Sequence, residues 1–120
     1  MMAEQHIFTH RHFKECIDAC NACAAACNYC AVSCLKEKNV EVMTRCIKLT
    51  LECAAICTAT AQVMSLDGEL SDQICQLCED ACKRCEEECI RHGDMEHCLA
   101  CAEACRKCAE MCAKMVVHAL

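Results

Sequence analysis

The most regular feature of the chain is a cysteine that recurs every three or four residues, with alanine, polar or charged residues between. These cysteines form four runs, over residues 16–34, 46–57, 75–89 and 98–112, and the one longer step within a run is seven residues. Side chains three, four or seven residues apart share one face of an α-helix, whereas a strand would repeat every two residues. The pattern therefore predicts four α-helices, each with a stripe of sulfur along one side.

Segments that contain asparagine or glycine separate the runs, at residues 38–39, 66–70 and 93–94. Asn39 is expected to adopt the left-handed conformation that often ends a helix. Ser71 is expected to cap the start of the third helix with its side chain.

Connections this short force consecutive helices to run antiparallel. The predicted fold class is therefore all-α, an antiparallel up-down-up-down four-helix bundle with a cysteine-lined core. We expect one domain over residues 1–120, with residues 1–12 as a candidate N-terminal extension.

The distribution of charge indicates which way the cysteine stripes point. Charged residues are dense on the third and fourth helices and lie opposite the cysteines, so the sulfurs are expected to face inward. The first two helices are apolar on their outer faces as well, at Ala22, Ala25, Tyr29, Val32, Leu51, Ala55 and Ala59. A helix that is apolar all round is covered on both sides, so these two helices are predicted to pack against other subunits. A merely alanine-rich exposed surface is the alternative.

The composition changes what such a core can be. There are 19 cysteines, two glycines and no proline, which does not suit a loop-rich disulfide scaffold, and an odd number of thiols cannot pair fully within one chain. The N-terminus shows no signal-peptide pattern, so a cytosolic location with reduced thiols is expected. No uninterrupted apolar run is long enough for a membrane span, and the net charge of −6 opposes nucleic-acid binding, so neither partner is expected.

Metal binding is the chemistry that rows of thiols favour. Soft thiolate ligands select Cu(I), Zn(II) or iron–sulfur clusters, and of these Cu(I) accepts two or three ligands. Two sulfurs on opposite sides of one ion lie about 4.6 Å apart, which suits cysteines on adjacent helical turns. A zinc ion bound by four thiolates keeps a net charge of −2, whereas one monovalent ion per thiolate leaves a buried core close to neutral. The sequence therefore predicts many Cu(I) ions per chain.

The cysteine pattern resembles that of a known family. The runs Cys16 to Cys34 and Cys75 to Cys112, with Cys46-Ile47-Lys48-Leu49 and Cys53-Ala54-Ala55-Ile56-Cys57 between them, are similar to the cytosolic branch of the bacterial copper storage proteins. The resemblance covers about residues 13–115. It implies four-helix bundles that assemble as homotetramers and hold many Cu(I) ions along each core. Exported relatives carry a twin-arginine signal, which this sequence lacks.

The candidate metal ligands are the nineteen cysteines and two histidines near the turn between the third and fourth helices. They are Cys16, Cys20, Cys23, Cys27, Cys30, Cys34, Cys46, Cys53, Cys57, Cys75, Cys78, Cys82, Cys85, Cys89, Cys98, Cys101, Cys105, Cys108, Cys112, His92 and His97. Members of the family tend to have a histidine-rich turn here, whereas this chain has only these two histidines, with Met95 between them.

The topology places the turns at 38–39 and 93–94 at the same end of the bundle. With His92 and His97 this end is the expected mouth, where copper enters and leaves, and Met43 and Met95 also lie there. The alternative for the histidines is a merely solvated turn. The opposite end is expected to gather Phe13, Met64, Leu66, Leu70, Ile74 and Met115, with Met64 and Met115 as an apolar plug rather than ligands.

Other functions fit the sequence less well. A zinc or general soft-metal buffer is the main alternative to copper storage. A thioredoxin-like enzyme needs a strand before its CxxC, and the ferredoxin-type cysteine run that ends in proline is absent. The sequence shows no glycine-rich phosphate loop or hydrolytic site, so a binding protein and not an enzyme is expected. Nothing in the sequence indicates the copper donor or acceptor.

Overall fold

The cysteine runs fold as four long helices. The computed structural model describes the backbone of residues 2–119 and the side chains of residues 13–116. Helix α1 is Met2–Leu35, α2 is Thr44–Ser65, α3 is Ser71–Arg91 and α4 is Glu96–Ala119, and a short 3₁₀ helix at Val40–Met43 precedes α2. The predicted all-α fold class is confirmed. Helix α1 includes residues 2–12, while Met1 and the side chains of the expected extension lie outside the described residues.

The helices form a closed square in chain order, because α1 packs on α2 and α4, and α3 packs on the same two helices. Thiol contacts give the directions: Cys16 lies 3.8 Å from Cys112, and Cys30 lies 3.9 Å from Cys98, so α1 and α4 run antiparallel. The molecule is a rod of 57 × 20 × 20 Å. The short connections thus produce the predicted up-down-up-down order.

The first connection ends α1 without a left-handed residue. The amides of Lys36 and Glu37 donate to the carbonyls of Ser33 and Cys34, which tightens the last turn of the helix. Asn39 has φ −104°, so the expectation of a left-handed cap at this position was wrong. The 3₁₀ turn that follows, with the Val42 amide bonded to the Asn39 carbonyl, needs no such conformation.

The second connection uses the left-handed conformation at a different residue, Asp67, whose φ is 52°. The amide of Gly68 then donates to the Val63 carbonyl at 2.9 Å, and a Cβ on this glycine would lie 2.8 Å from Val63 Cγ1. The Ser71 hydroxyl donates to the Gly68 carbonyl at 2.7 Å instead of capping α3, whose N-cap residue is Leu70. The cap predicted at Ser71 was therefore wrong, because its hydroxyl is hydrogen-bonded to the Gly68 carbonyl in the turn.

Residues 40–65 are long and apolar enough to cross a membrane by length and composition alone. In the bundle this composition has another cause. The cysteines of α2 are buried in the core, and its outer residues Leu51, Ala55 and Ala59 are exposed apolar groups. The equivalent residues of α1, Ala22, Ala25, Tyr29 and Val32, are exposed in the same way.

The outer faces of α3 and α4 differ from those of α1 and α2, because ion pairs between successive helical turns cover them. Lys83 pairs with Glu79 at 2.7 Å and Arg84 with Asp80 at 3.0 Å on α3. On α4, Arg106 lies between Glu103 and Glu110. The predicted difference between the two pairs of helices is therefore present in the structure.

Candidate metal centre

Every cysteine of the chain is a free, buried thiol in the core of the bundle. The opposition of charge and cysteine on α3 and α4 therefore predicted the inward orientation correctly. Alanines fill much of the remaining core volume, including Ala24, Ala54, Ala61, Ala102 and Ala109. The small alanine side chains allow the helices to approach, so that sulfurs from different helices come into contact.

Sulfurs from all four helices meet around Cys23. Its Sγ lies 4.0 Å from Cys53 of α2, 3.9 Å from Cys82 of α3 and 3.7 Å from Cys105 of α4. Its neighbour on the next turn of α1, Cys27, is 3.9 Å away. A metal ion at this level can therefore choose its ligands from several helices, and would cross-link them.

The thiols form overlapping groups of four whose sulfurs all lie within 4.8 Å of one another. Among these groups are Cys20, Cys78, Cys108 and Cys112; Cys23, Cys53, Cys57 and Cys82; Cys23, Cys27, Cys53 and Cys105; Cys27, Cys85, Cys101 and Cys105; and Cys30, Cys34, Cys46 and Cys98. Several cysteines belong to two groups, so the groups cannot all be separate four-coordinate sites. The arrangement is a continuous column of sulfur, which we call the thiol column.

The distances between thiols span more than one coordination geometry. The shortest contact in the thiol column is 3.6 Å, between Cys20 and Cys108, and the sulfurs within each group of four lie up to 4.8 Å apart. With metal–sulfur bonds of about 2.3 Å, sulfurs lie about 4.6 Å apart in a linear site, about 4.0 Å in a trigonal site and about 3.8 Å in a tetrahedral site. The separations in the thiol column therefore cover the spacings of sites with two, three or four ligands per ion.

Burial keeps the outermost thiols protonated when no metal is bound. Desolvation raises the pKa of Cys34 to about 11, and it also raises the pKa of Cys98. Nearby thiols add to the effect, because a second negative charge at Cys46 would repel a thiolate at either position. Each ion that binds must therefore displace protons from this end of the thiol column.

His97 is the predicted histidine that contacts the thiol column. Its Nδ1 atom lies 3.4 Å from the Sγ of Cys30 and 3.6 Å from the Sγ of Cys98. On the other side of the ring, Nε2 lies 3.1 Å from the Oε2 of Glu37. A metal-binding histidine commonly has a carboxylate on its second nitrogen, which fixes the orientation of the ring.

His92 faces a carboxylate instead. Its Nε2 lies 3.0 Å from the Oε2 of Glu88, a buried side chain that also pairs with Arg91 at 3.4 Å and with Arg45 of α2 at 3.7 Å. Sequence reasoning did not find Glu37 or Glu88. The i, i+4 spacing of Glu88 and His92 was a usable signal, but Glu37 and His97 are 60 residues apart and only the fold brings them together.

The methionines divide between the two ends of the thiol column. Met43 is buried at the end that holds His92 and His97, and Met95 is half-buried against the core there. Met64 and Met115 are buried at the opposite end, where the Cys75 thiol donates a hydrogen bond to the Met64 sulfur at 3.5 Å. Leu66 and Leu70, which lie in the connection at the same end, are exposed.

Comparison with known proteins gives a consistent result over nearly the whole chain. The sequence model of the family described as Csp, copper storage protein, matches residues 9–117. A cytosolic copper storage protein from Streptomyces lividans, loaded with five coppers, is 39% identical with a TM-score of 0.89, over 92% of this chain and 96% of that one. No curated protein sequence matches the chain.

Two further solved structures are similar. Apo-Csp3, a copper storage protein from Bacillus subtilis, is 44% identical with a TM-score of 0.81, over 86% of this chain and 97% of that one. The Cu(I)-bound copper storage protein BsCsp3 is 43% identical with a TM-score of 0.83, over 88% and 98% of the two chains. The likeness therefore extends to structures determined with and without metal.

Proposed function

The chain belongs to the copper storage protein family, and from that membership and the geometry of its core we propose that it stores many Cu(I) ions on the thiolates of the thiol column. The observation that carries the proposal is the continuity of the thiol column: all nineteen cysteines are buried in one core. A core with a few isolated clusters would suit a structural metal. A column in which neighbouring sites share sulfurs suits a cargo of variable size.

Charge supports Cu(I) as the cargo. A buried ion without compensation costs several kcal/mol even after the protein relaxes, so the total charge of the filled core must stay small. One Cu(I) per thiolate makes the core neutral, and shared sulfurs let each ion reach two or three ligands. The nineteen cysteines are therefore the proposed ligands, and bound copper is cargo rather than part of a catalytic site.

A zinc or general soft-metal buffer is the second candidate, and one observation favours it. Groups of four thiols within 4.8 Å of one another also suit tetrahedral zinc. The shared membership of Cys23, Cys27, Cys53 and Cys105 limits how many such sites can fill together. Each filled site would also leave a net charge of −2 in the core, so zinc is expected to saturate early.

The decisive experiment is an anaerobic titration of the reduced apo-protein with Cu(I) against a strong chelator, followed by metal analysis. We expect uptake that approaches one ion per thiol, up to about nineteen per chain. Saturation with Cu(I) at about four or five ions would overturn the proposal, because that number is typical of separate tetrathiolate sites. A parallel titration with Zn(II) serves as the comparison and is expected to stop at that lower number.

The mouth of the thiol column is proposed as the place where copper enters and leaves. His97 connects the turn region to Cys30 and Cys98, and a neutral imidazole can bind Cu(I) without adding charge. Glu37 holds the ring in position from the outside. His92 and Glu88 support the same end from α3, with Arg45 reaching across from α2.

The remaining features of the proposal concern the chain as a whole. Residues 1–120 act as one storage domain in the cytosol, as described for the relative from Streptomyces lividans. The exposed apolar faces of α1 and α2 support assembly into a homo-oligomer, a tetramer by family resemblance. The net charge of −6 argues against a nucleic-acid partner. The packing of α2 against α1 and α3 argues against its insertion in a membrane.

A further inference from the structure

The end of the thiol column opposite the mouth has a sulfur contact of a different kind. The Cys75 thiol donates a hydrogen bond to the thioether of Met64, with the two sulfurs 3.5 Å apart. This distance is shorter than the thiol–thiol contacts among the described side chains, which begin at 3.6 Å. Met64 is 2% exposed and Cys75 1%, so solvent does not separate or compete with the pair.

The backbone fixes this contact. Met64 lies in the last turn of α2 and Cys75 in the second turn of α3, and the connection between them is only residues 66–70. The Gly68 amide bonded to Val63 and the Ser71 hydroxyl bonded to Gly68 hold that connection in one conformation. The thioether therefore meets the first thiol of α3 because of the turn geometry, and not because a flexible side chain happens to reach it.

Met64 and Cys75 lie at one end of the thiol column and are in contact with it. Cys16 and Cys112, which are 3.8 Å apart, close the thiol column on the other two helices. Cys75 and Met64 lie in the same buried core cluster as these two cysteines. Cys75 thus belongs to the same network of thiols, and Met64 is the next sulfur beyond it.

We propose that Met64 Sδ and Cys75 Sγ bind one Cu(I) ion, which makes Met64 a terminal ligand that closes the column opposite the mouth. The inference rests on the proposed function, since it assumes that Cu(I) reaches the core. When the ion binds, the Cys75 S–H bond breaks, the proton leaves to solvent and a copper–sulfur bond forms. The thioether contributes a lone pair and no proton, and the copper stays in the +1 state.

The chemistry of the two sulfurs suits this position. One thiolate and one neutral thioether around Cu(I) leave no net charge at the apolar end of the bundle. A thioether is a soft ligand that favours Cu(I), so this site is expected to reject Zn(II). The two sulfurs, 3.5 Å apart, must separate by about 1.1 Å to reach the spacing of about 4.6 Å in a linear two-ligand site with metal–sulfur bonds of about 2.3 Å, and the unbranched methionine side chain allows that movement.

The test uses the full chain labelled with ¹³C at the methionine methyl groups, titrated with Cu(I) under anaerobic conditions. Met64→Leu assigns the Met64 signal, and Met111→Leu, at a half-buried methionine of α4, is the matched control. We expect the Met64 methyl signal to shift as copper fills the core, while the Met111 signal stays in place. Zn(II) added to the wild-type protein is expected to leave the Met64 signal unshifted.

The same variants give an independent readout in copper capacity. Met64→Leu is expected to bind about one Cu(I) fewer than the wild type, and Met111→Leu the same number as the wild type. A Met64 signal that does not move while the wild-type protein fills with copper would overturn this inference and leave the storage function intact. A wild-type chain that takes up only a few ions would instead contradict the storage function itself.

Discussion

His97 Nε2 lies 3.1 Å from the Oε2 of Glu37, and this contact joins the start of α4 to the turn that follows α1. A carboxylate oxygen only accepts hydrogen bonds, so the imidazole proton sits on Nε2. The other ring nitrogen, Nδ1, lies 3.4 Å from Cys30 Sγ. The pair therefore places a ring nitrogen against the thiols at this end of the thiol column.

Replacement of Glu37 by alanine is expected to slow Cu(I) uptake without reducing the final copper content. The ring of His97 would lose the group that orients it, and loss of such a partner weakens a metal site by about 10–100-fold. His97→Ala should slow uptake at least as much. Stopped-flow absorbance of the Cu(I)–thiolate band measures the rate.

Glu41→Ala is the matched control for this prediction. Glu41 is an exposed acid on the same connection, and its replacement by alanine removes the same charge. It should leave the rate of uptake unchanged. If Glu37→Ala and Glu41→Ala behave alike, then net charge and not the orientation of His97 governs uptake at this end.

Glu88→Ala is expected to destabilise the apo-protein by about 1–3 kcal/mol, because it removes a buried acceptor from its partners. The His92 ring would lose its 3.0 Å contact, and Arg45 would lose its link from α2 to α3. Denaturant unfolding of the reduced apo-protein measures the change. Glu87→Ala, at the neighbouring exposed position, should have a free energy of unfolding within about 0.5 kcal/mol of the wild type. A similar loss of stability in both variants would contradict a special role for Glu88.

The part of this architecture that the sequence predicts is the part set by short-range periodicity. Steps of three and four residues require one helical face, and charges opposite the cysteines on α3 and α4 require that face to point inward. The turn details were harder. Asn39 and Ser71 both had the right residue type for a cap. In the turns, however, Asp67 adopts the left-handed conformation, and the Ser71 hydroxyl bonds to the Gly68 carbonyl.

The periodicity of the sequence does not predict contacts between side chains that are far apart in the chain. The topology placed His92 and His97 at the same end, yet it could not show that one faces thiols and the other a carboxylate. That difference depends on the side-chain conformations and on Glu37, which lies in a connection with no pattern of its own. The same limit explains why Met64 looked like an apolar plug, since its contact with Cys75 depends on the turn at residues 66–70.

The apo-protein is expected to lose stability at alkaline pH. Burial raises the pKa of Cys34 from the ordinary thiol value of 9.0 to about 11, so the folded chain holds this proton more tightly than the unfolded chain does. The resulting stability is complete below pH 9.0 and is lost as the pH rises through about 11. Cys98, whose pKa is also raised, acts in the same direction.

Thermal melts of the reduced apo-protein between about pH 8 and 11 measure this effect. The melting temperature should fall across the range. The copper-loaded protein serves as the comparison, because its thiols have already lost their protons, and its melting temperature should be higher and should change less. An apo-protein whose melting temperature is constant over this range would show that the outer thiols are not protonated by burial.

The exposed apolar faces of α1 and α2 are expected to form the contacts between subunits. Tyr29 is 69% exposed and Leu51 51% exposed in the single chain, and exposed apolar patches of this kind mark interaction surfaces. Tyr29→Glu combined with Leu51→Glu would place two carboxylates in the interface. We expect the assembly to dissociate into chains of 13.3 kDa that still take up the wild-type amount of copper per chain.

Leu77 of α3 and Leu99 of α4 provide the matched control, because they are 52% and 50% exposed on the charged side of the bundle. Leu77→Glu combined with Leu99→Glu introduces the same two charges and should leave the assembly intact. Light scattering coupled to gel filtration measures the mass, and the wild type should be about four times the mass of one chain, as in a closed symmetric tetramer. Dissociation by the control pair, or a wild-type monomer, would contradict an interface on α1 and α2. Because the thiol column lies inside each bundle, copper capacity per chain separates the loss of assembly from the loss of the storage core.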